Sequence, residues 1–597
     1  MGIVKIREMM YLCNPKMNVM ARLKYNFTWK KYHRWLGLVL SVFMLVFCVS
    51  GIILNHREAF SGCEVSRKWL PASYHIKNFN NGVVKGTVVK NSGSLAISEG
   101  FSDSILVYGC AGVFLADYQL STWQDFNAGL PKSIDERNVR HLVQARDGSL
   151  WCAALRDVYR YDENAQQWKK VELPGNEERI MDVALGKNSI QVVALTRSRI
   201  FEITPIASNI DVSESPSSLA SSAKGGVSEK SPDIFEKKSG GFSEKVGTFL
   251  GKYRVEAKII PAPKNYEPKT TLFKLVWHLH SGEFFGLPGK LVVDAIALVL
   301  IVLSITGILL FILPYGIRRA KKLAAKARMK RLGKQFAWNM KWHNKIGYVT
   351  IVLTLWIAIT GMCLRPPLMV PLVLSKLPQA VGEDGNVWQD KLRAIRWDAV
   401  QGDWLVSTSE GFLRVDEDFS QAPKMLPDDE CPKLSPMGVT VWESDGKGGW
   451  IVGSFRGIYR WNPVNHKSQI LDYFTNEPCV ETSMIPISDN LICGYSEDLF
   501  DREPMVFDFA KGVEDAKGQV INILDEKDAM SDLICETAPM SLWNVALELH
   551  VGRCYSPFLG PLSDLFVFLS GLLITLVLLS GYIISHRRRK KAQARLK

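Results

Sequence analysis

Four stretches of this chain stay apolar for close to the length of a membrane crossing: Leu36–Leu54, Leu291–Leu313, Ile346–Leu364 and Leu565–Ile584. A helix needs about 20 such residues to span the ~30 Å hydrocarbon core of a bilayer. Inside hydrocarbon, backbone polar groups must be satisfied within the segment, so these stretches read as helices. Four buried core helices are the alternative, but they would not explain the one-sided basic clusters beside the spans. Met1–Arg34 holds eight Lys/Arg and one acid, Tyr315–Lys345 eleven and none, and His586–Lys597 seven and none. Together these segments carry +25 in a chain of net charge +13, which leaves −12 for everything else. The excess is a positive-inside signature, and it excludes nucleic acid as the partner. Both termini and the central basic loop are therefore placed in the cytoplasm. Two large loops, about His56–Gly289 and Pro366–Asp564, fall on the other side.

Apolar residues make up 47% of the chain and aromatics 10%, which excludes a disordered or fibrous protein. The first span is not read as a cleaved signal peptide, because a preamble of about 35 residues precedes it. The expected map is a cytoplasmic N-terminus (1–35), a first span (36–56), β-rich repeats (57–206), a Ser/Gly/Lys-rich linker (207–251) and a lead-in (252–289). A second span (290–314), the basic loop (315–345), a third span (346–365) and further β-rich repeats (366–540) follow. A lead-in (541–563), a fourth span (564–585) and a tail (586–597) complete it.

The membrane part repeats itself. His33-Arg-Trp-Leu-Gly37 opens the first span and His343-Asn-Lys-Ile-Gly347 the third, and each His precedes a Ser/Thr-Gly pair (Ser50-Gly51, Thr360-Gly361) by 17 residues. His280 and His550 each precede an Asp, Asp294 and Asp564, by 14 residues. Late Thr306-Gly307 and Ser580-Gly581 pairs follow, with four extra residues in the second case. The expected fold is a four-helix transmembrane bundle made of a duplicated hairpin, the halves in the same orientation.

The external loops repeat too. Strand-like segments centre on Phe114, Tyr159 and Phe201, then on Leu413, Tyr459 and Phe500, with steps of 45, 42, 46 and 41. A period of about 40–45 residues with several short strands suits propeller blades. Asp147-Gly-Ser-Leu-Trp151 with Val158-Tyr-Arg-Tyr161 resembles the two-component-regulator propeller repeat. Three blades from each loop would make one six-bladed β-propeller-like domain; two separate β-rich domains remain the other reading. Eight of the eleven cysteines lie in these loops without metal-site spacing, as buried residues or in a disulfide or two.

Seven of the ten histidines lie near span boundaries, where an unpartnered imidazole is costly. The duplication repeats His33 as His343 and His280 as His550. In a four-helix bundle the first two would converge at the cytoplasmic end and the second two at the outer end. Each pair would form a bis-His axial site for haem, the two sites roughly 20 Å apart in a ~30 Å core. Zinc is the weaker metal reading, since no boundary cluster gathers three or four ligands. His56 and His586 break the symmetry and stand as alternate ligands for the outer and inner haem. His278, matched by Glu548, is a further unassigned boundary residue.

His33-Arg-Trp-Leu-Gly, Leu-His280-Ser-Gly-Glu, Trp342-His343-Asn-Lys-Ile-Gly-Tyr and the Thr/Ser-Gly pairs resemble the PepSY-associated transmembrane helix family, which includes iron-regulated inner-membrane proteins and ferric-siderophore reductases of Gram-negative bacteria. The resemblance covers the spans and their flanks. It implies a bacterial inner-membrane cytochrome with two b-type haems, passing electrons to a ferric siderophore or other iron chelate in the periplasm. No G-x-G-x-x-G motif opens a nucleotide-binding unit, so electrons are expected from a quinol or a separate cytoplasmic reductase. No acid/base or nucleophile constellation stands out, and no catalytic residue is assigned. A membrane-anchored propeller acting as sensor or assembly protein is the alternative. Its weakness is cytoplasmic parts too small for a signalling domain.

Overall fold

The computed structural model describes residues 15–89, 104–205, 248–250, 253–379, 385–435, 437–464, 470–479, 490–521, 534 and 538–595. They form two compact units. One contains Met1–Val65, Lys269–Gln379 and Ser541–Lys597, and the other Ser66–Pro268 and Ala380–Met540.

The first unit is helical. Its principal helices are α1 (Pro15–Asn55), α2 (Leu272–Ser281), α3 (Gly286–Lys322), α4 (Lys326–Val349), α5 (Ile351–Cys363), α6 (Leu542–His550) and α7 (Ser563–Gln593). Among the described residues, three segments are long and apolar enough to cross a membrane: Lys30–Asn55, Glu283–Lys322 and Arg553–Gln593. The expected third span differs from a straight helix, because α4 and α5 are bent by 69° against each other. Thr350 stands at the break, and its hydroxyl donates to the Ile346 carbonyl (2.9 Å), a back-bond that bends helices. Counted as one span, the bent pair brings the total to four. Met44 and Cys48 of α1, Ile296 and Leu300 of α3, Trp356 of α5 and Leu578 of α7 share one small apolar core.

The duplication is visible in local structure. Helices α2 and α6 start on matching N-caps, where Thr271 Oγ1 accepts from the Lys274 amide (3.1 Å) and Ser541 Oγ from the Asn544 amide (3.2 Å). Just beyond His280 and His550 the chain turns at Gly282 (φ 78°) and Gly552 (φ 87°), a left-handed geometry that suits glycine.

Among the described residues, the second unit holds six separate antiparallel sheets, of four, four, five, four, four and three strands. Their first strands are Gly86–Val89, His141–Gln144, Ile180–Leu185, Leu392–Asp398, Val441–Ser444 and Ile492–Ser496. Strands such as Ser104–Gly109 and Val192–Thr196 are buried along their whole length, so both faces of these sheets need cover. The cover is the neighbouring sheet. Leu106 and Val113 of the first pack with Leu142 and Tyr159 of the second. Trp151 of the second packs with Ile180 and Phe201 of the third. Leu195 of the third meets Ile395 and Trp404 of the fourth. Phe412 of the fourth meets Trp442 and Trp461 of the fifth. Ile451 of the fifth meets Ile492 and Val506 of the sixth. Cys493 and Phe507 of the sixth meet Ile105 and Val107 of the first.

A buried polar group joins the middle sheets. Arg396 Nη1 donates to Asp182 Oδ2 (2.6 Å) and its Nε to the Trp442 carbonyl (2.8 Å), while His141 Nδ1 donates to the Val183 carbonyl (2.7 Å). Burial alone would raise the Asp182 pKa, but the Arg396 guanidinium and the His141 hydrogen bond hold it below the usual carboxylate value.

Of the linker expected at 207–251, residues 207–247 and 251 lie outside the described residues. Thr248–Leu250 is a strand, and it pairs with Tyr253–Lys258, which returns to the third sheet beside Ile200–Pro205. The lead-in expected at 252–289 therefore begins as part of a sheet. The nine described cysteines are free thiols, and Cys48, Cys152, Cys431 and Cys493 are buried.

Candidate functional site

The repeated histidines of the helical unit come together in two pairs. The rings of His33 on α1 and His343 on α4 have centroids 6.5 Å apart, inclined by 70°. Those of His280 on α2 and His550 on α6 are 6.2 Å apart, inclined by 50°. No third His, Cys, Asp or Glu joins either pair to make a cluster of three or more among the described residues.

Each imidazole is held from the opposite half of the chain. His33 Nδ1 lies 2.8 Å from Ser580 Oγ, and His343 Nδ1 2.9 Å from Thr306 Oγ1. His280 Nδ1 lies 3.0 Å from Thr360 Oγ1, and His550 Nδ1 3.0 Å from Ser50 Oγ. These are the hydroxyls of the four repeated Ser/Thr-Gly pairs. The glycine of each pair admits the edge of the same ring. A Cβ on Gly361 would stand 2.8 Å from His280 Cε1, on Gly581 2.9 Å from His33 Cε1, on Gly51 3.3 Å from His550 Cε1, and on Gly307 3.6 Å from His343 Cε1.

The hydrogen bonds fix the tautomer. Ser50 Oγ donates to the Val46 carbonyl (2.7 Å), Thr306 Oγ1 to Val302 (2.7 Å), Thr360 Oγ1 to Trp356 (2.8 Å) and Ser580 Oγ to Val577 (2.8 Å). A hydroxyl has one proton, and here a helix carbonyl takes it, so the oxygen can only accept from the imidazole. His33 and His550 also bring Nδ1 within 3.1 Å of the Val577 and Phe47 carbonyls, which are acceptors only. Nδ1 thus carries the proton and Nε2 keeps the lone pair. An imidazole anchored through Nδ1–H with a free Nε2 is prepared to bind a metal.

The alternates are engaged elsewhere. His56 Nε2 donates to Asp294 Oδ2 (2.6 Å), and Asn55 Nδ2 donates to Asp294 Oδ1 (3.1 Å). Asp564, the repeat of Asp294, faces Arg365 Nη2 at 3.4 Å. Each Asp that opens a return span therefore meets a basic side chain at the end of the preceding span. The sequence showed the Asp spacing without that role. His586 stacks on Tyr348 and Tyr582. His278 lies beside Trp277. In the sheet unit, His75 Nε2 donates to the Leu70 carbonyl (3.0 Å), and His466 lies outside the described residues.

The family model for the PepSY-associated TM region matches the chain twice, over residues 17–314 and 311–589. The chain belongs to the PepSY-associated TM region family. Each match takes in one hairpin and one external loop, so the duplication covers nearly the whole PepSY-associated chain. No curated protein matches it. Two crystal structures of an extracellular domain from B. thetaiotaomicron, described as a one-component system and as a hybrid two-component system, align with 74% of this chain and 39% of theirs. Both do so at 10% identity and a TM-score of 0.30, and the chain spans well under half of their length.

Proposed function

We propose that this protein is an inner-membrane di-haem b-type cytochrome that passes electrons across the membrane to a periplasmic ferric chelate. The reciprocal histidine pairs carry the reading. Two imidazoles sharing one metal through nitrogens at about 2 Å, each ring centre about 1.1 Å beyond its nitrogen, would stand up to roughly 6.3 Å apart. The centroid distances of 6.5 and 6.2 Å fit that spacing. Cradles that a Cβ would fill at Gly361 and Gly581 fit it too. Arg365 adds a buried guanidinium Nε with no hydrogen-bond partner, four residues past Gly361, suited to a carboxylate such as a haem propionate. The residues present fit haem.

His33 and His343 would hold one haem, His280 and His550 the other. Haem supplies one-electron transfer, and reducing iron(III) to the more labile iron(II) loosens a siderophore's grip. The chain's own part is to present four Nε2 lone pairs, each oriented by a hydroxyl of the opposite half, and to exclude water with apolar helix faces. The four spans would form a bundle about a pseudo-twofold axis, with both termini in the cytoplasm, as the charge bias favours. Six sheets, each sharing a core with the next and the sixth with the first, support a six-bladed propeller for the external part. A sensor's membrane anchor would have no use for paired, tautomer-fixed imidazoles.

Detergent-purified protein from haem-replete cells is expected to be red, with b-type Soret and α bands after dithionite. A colourless preparation overturns the reading. The glycine cradles give a graded check. Gly361→Ala and Gly581→Ala should each lower bound haem towards half, whereas Gly307→Ala, whose Cβ would meet His343 only at 3.6 Å, should retain it. Equal retention in all three would refute the fit.

A further inference from the structure

Resting on that reading and its topology, we propose that the C-terminal end of α4, where the third span begins, and the cytoplasmic end of α7 bind the electron donor, a membrane quinol. The observation is a break in the duplication. The His343 half carries Tyr348, Tyr582 and His586, whereas the aligned positions of the other half are Leu38, Ile308 and Ile312. Symmetric packing needs only the apolar set. The three polar rings form one cluster of near-parallel planes: Tyr348 and Tyr582 have centroids 5.0 Å apart at 14°, Tyr348 and His586 6.3 Å at 7°, and Tyr582 and His586 5.8 Å at 21°. Arg589 caps it, with Cζ 3.9 Å from the Tyr348 ring centre. Tyr348 Oη lies 3.4 Å from His586 Nδ1.

The chemistry of this group points to a hydroquinone. A quinol headgroup is flat and aromatic, carries two phenolic hydroxyls, and sits where hydrocarbon meets the polar interface. The cluster offers aromatic faces, two phenols and an imidazole, directly after the apolar run that ends at Ile584 and before Arg587. His586 is exposed, and Leu579 and Ile583 expose apolar surface on the same helix for the isoprenoid side. Tyr582 follows, on the same helix, the Ser580-Gly581 pair that holds His33, so along the helix axis a donor bound here lies within about one turn of that anchor. Oxidation of one quinol to quinone breaks two O–H bonds. One proton goes to the His586 imidazole and onward to cytoplasmic water, the other to water directly. The two electrons would leave singly, each to the one-electron acceptor that His33 and His343 would hold.

The test uses the full chain in nanodiscs. Anaerobic mixing with tetramethylhydroquinone is expected to reduce the haem of the wild type. In His586→Ala and Tyr348→Phe the rate should fall about tenfold or more, the scale of losing a positioned proton acceptor. Haem content and reduction by dithionite should be unchanged, and Ile312→Ala, at the mirror position, should keep the wild-type rate. An azido-benzoquinone should photolabel the segment around Tyr582–His586, a readout independent of haem, with excess tetramethylbenzoquinone protecting it. Wild-type rates in both cluster variants, or labelling elsewhere, would overturn the donor site while leaving the haem reading intact. A colourless protein still labelled at this segment would instead sink the haem reading and retain the quinone site.

Discussion

Replacing His33 or His343 with alanine should remove one haem, and in both cases the same one. The two rings face each other at 6.5 Å across halves of the chain, so either substitution leaves that iron one axial nitrogen short. Bound haem should fall towards half of the wild-type content in each single variant. In the double variant it should fall no further, because residues acting on one site are not additive. The complementary pair, held by Thr360 and Ser50, should keep its haem throughout. Pyridine haemochrome titration against protein concentration measures the content, and low-temperature spectra tell the two haems apart. If the single variants lost different haems, the cross-half pairing would be wrong. His586 would then have to leave its tyrosine stack to act as a ligand, contrary to the geometry.

Conservative changes at the hydroxyls should separate ligation from orientation. Ser580→Ala leaves His33 its carbonyl contact at 3.1 Å but removes the 2.8 Å acceptor, so the haem should be held with a shifted potential.

Much of this site was legible in the sequence because duplication supplied its own control. A lone boundary histidine says little, but His33 with His343 and His280 with His550, at equal distances from matching landmarks, marked the four rings the structure pairs. Less legible was why Ser50, Thr306, Thr360 and Ser580 recur. Their hydroxyls act across the halves, and spacing along one strand of sequence cannot report a contact between chain segments hundreds of residues apart. The repeat signal of the sheets was readable in the spacing of residues such as Phe114, Leu413 and Tyr459; the strands that hold these three open at Gly112, Gly411 and Gly457 with φ 114°, 136° and 125°, a conformation side chains resist. The bend at Thr350 was not, since it lies in an uninterrupted apolar run without proline and hydrophobicity carries no information about helix direction. Tyr253–Lys258 was missed for another reason. It pairs with Ile200–Pro205 across a long polar insertion, and composition suggested a lead-in to the membrane instead of a strand returning to its sheet.

His280→Ala or His550→Ala should abolish reduction of a ferric siderophore while the haem of the other pair remains reducible by dithionite. In the proposed topology this pair belongs to the outer end of the spans, so it would be the last site an electron occupies before leaving the protein. Removing it interrupts the path without touching His33 or His343, whose anchors are Ser580 and Thr306. Dithionite-reduced protein mixed with a ferric hydroxamate in a stopped-flow instrument should reoxidise rapidly in the wild type and about a hundredfold or more slowly in either variant, a loss of more than 2.7 kcal/mol in the barrier difference. Outside the three basic segments the chain carries −12, so a neutral or cationic chelate should react faster than a strongly anionic one, with the gap narrowing as salt is added. Outer-pair variants that reoxidise as fast as wild type would mean that electrons leave by another route. The reductase reading would then fail even if both haems were present, because a haem that the acceptor does not need cannot be the exit of the path.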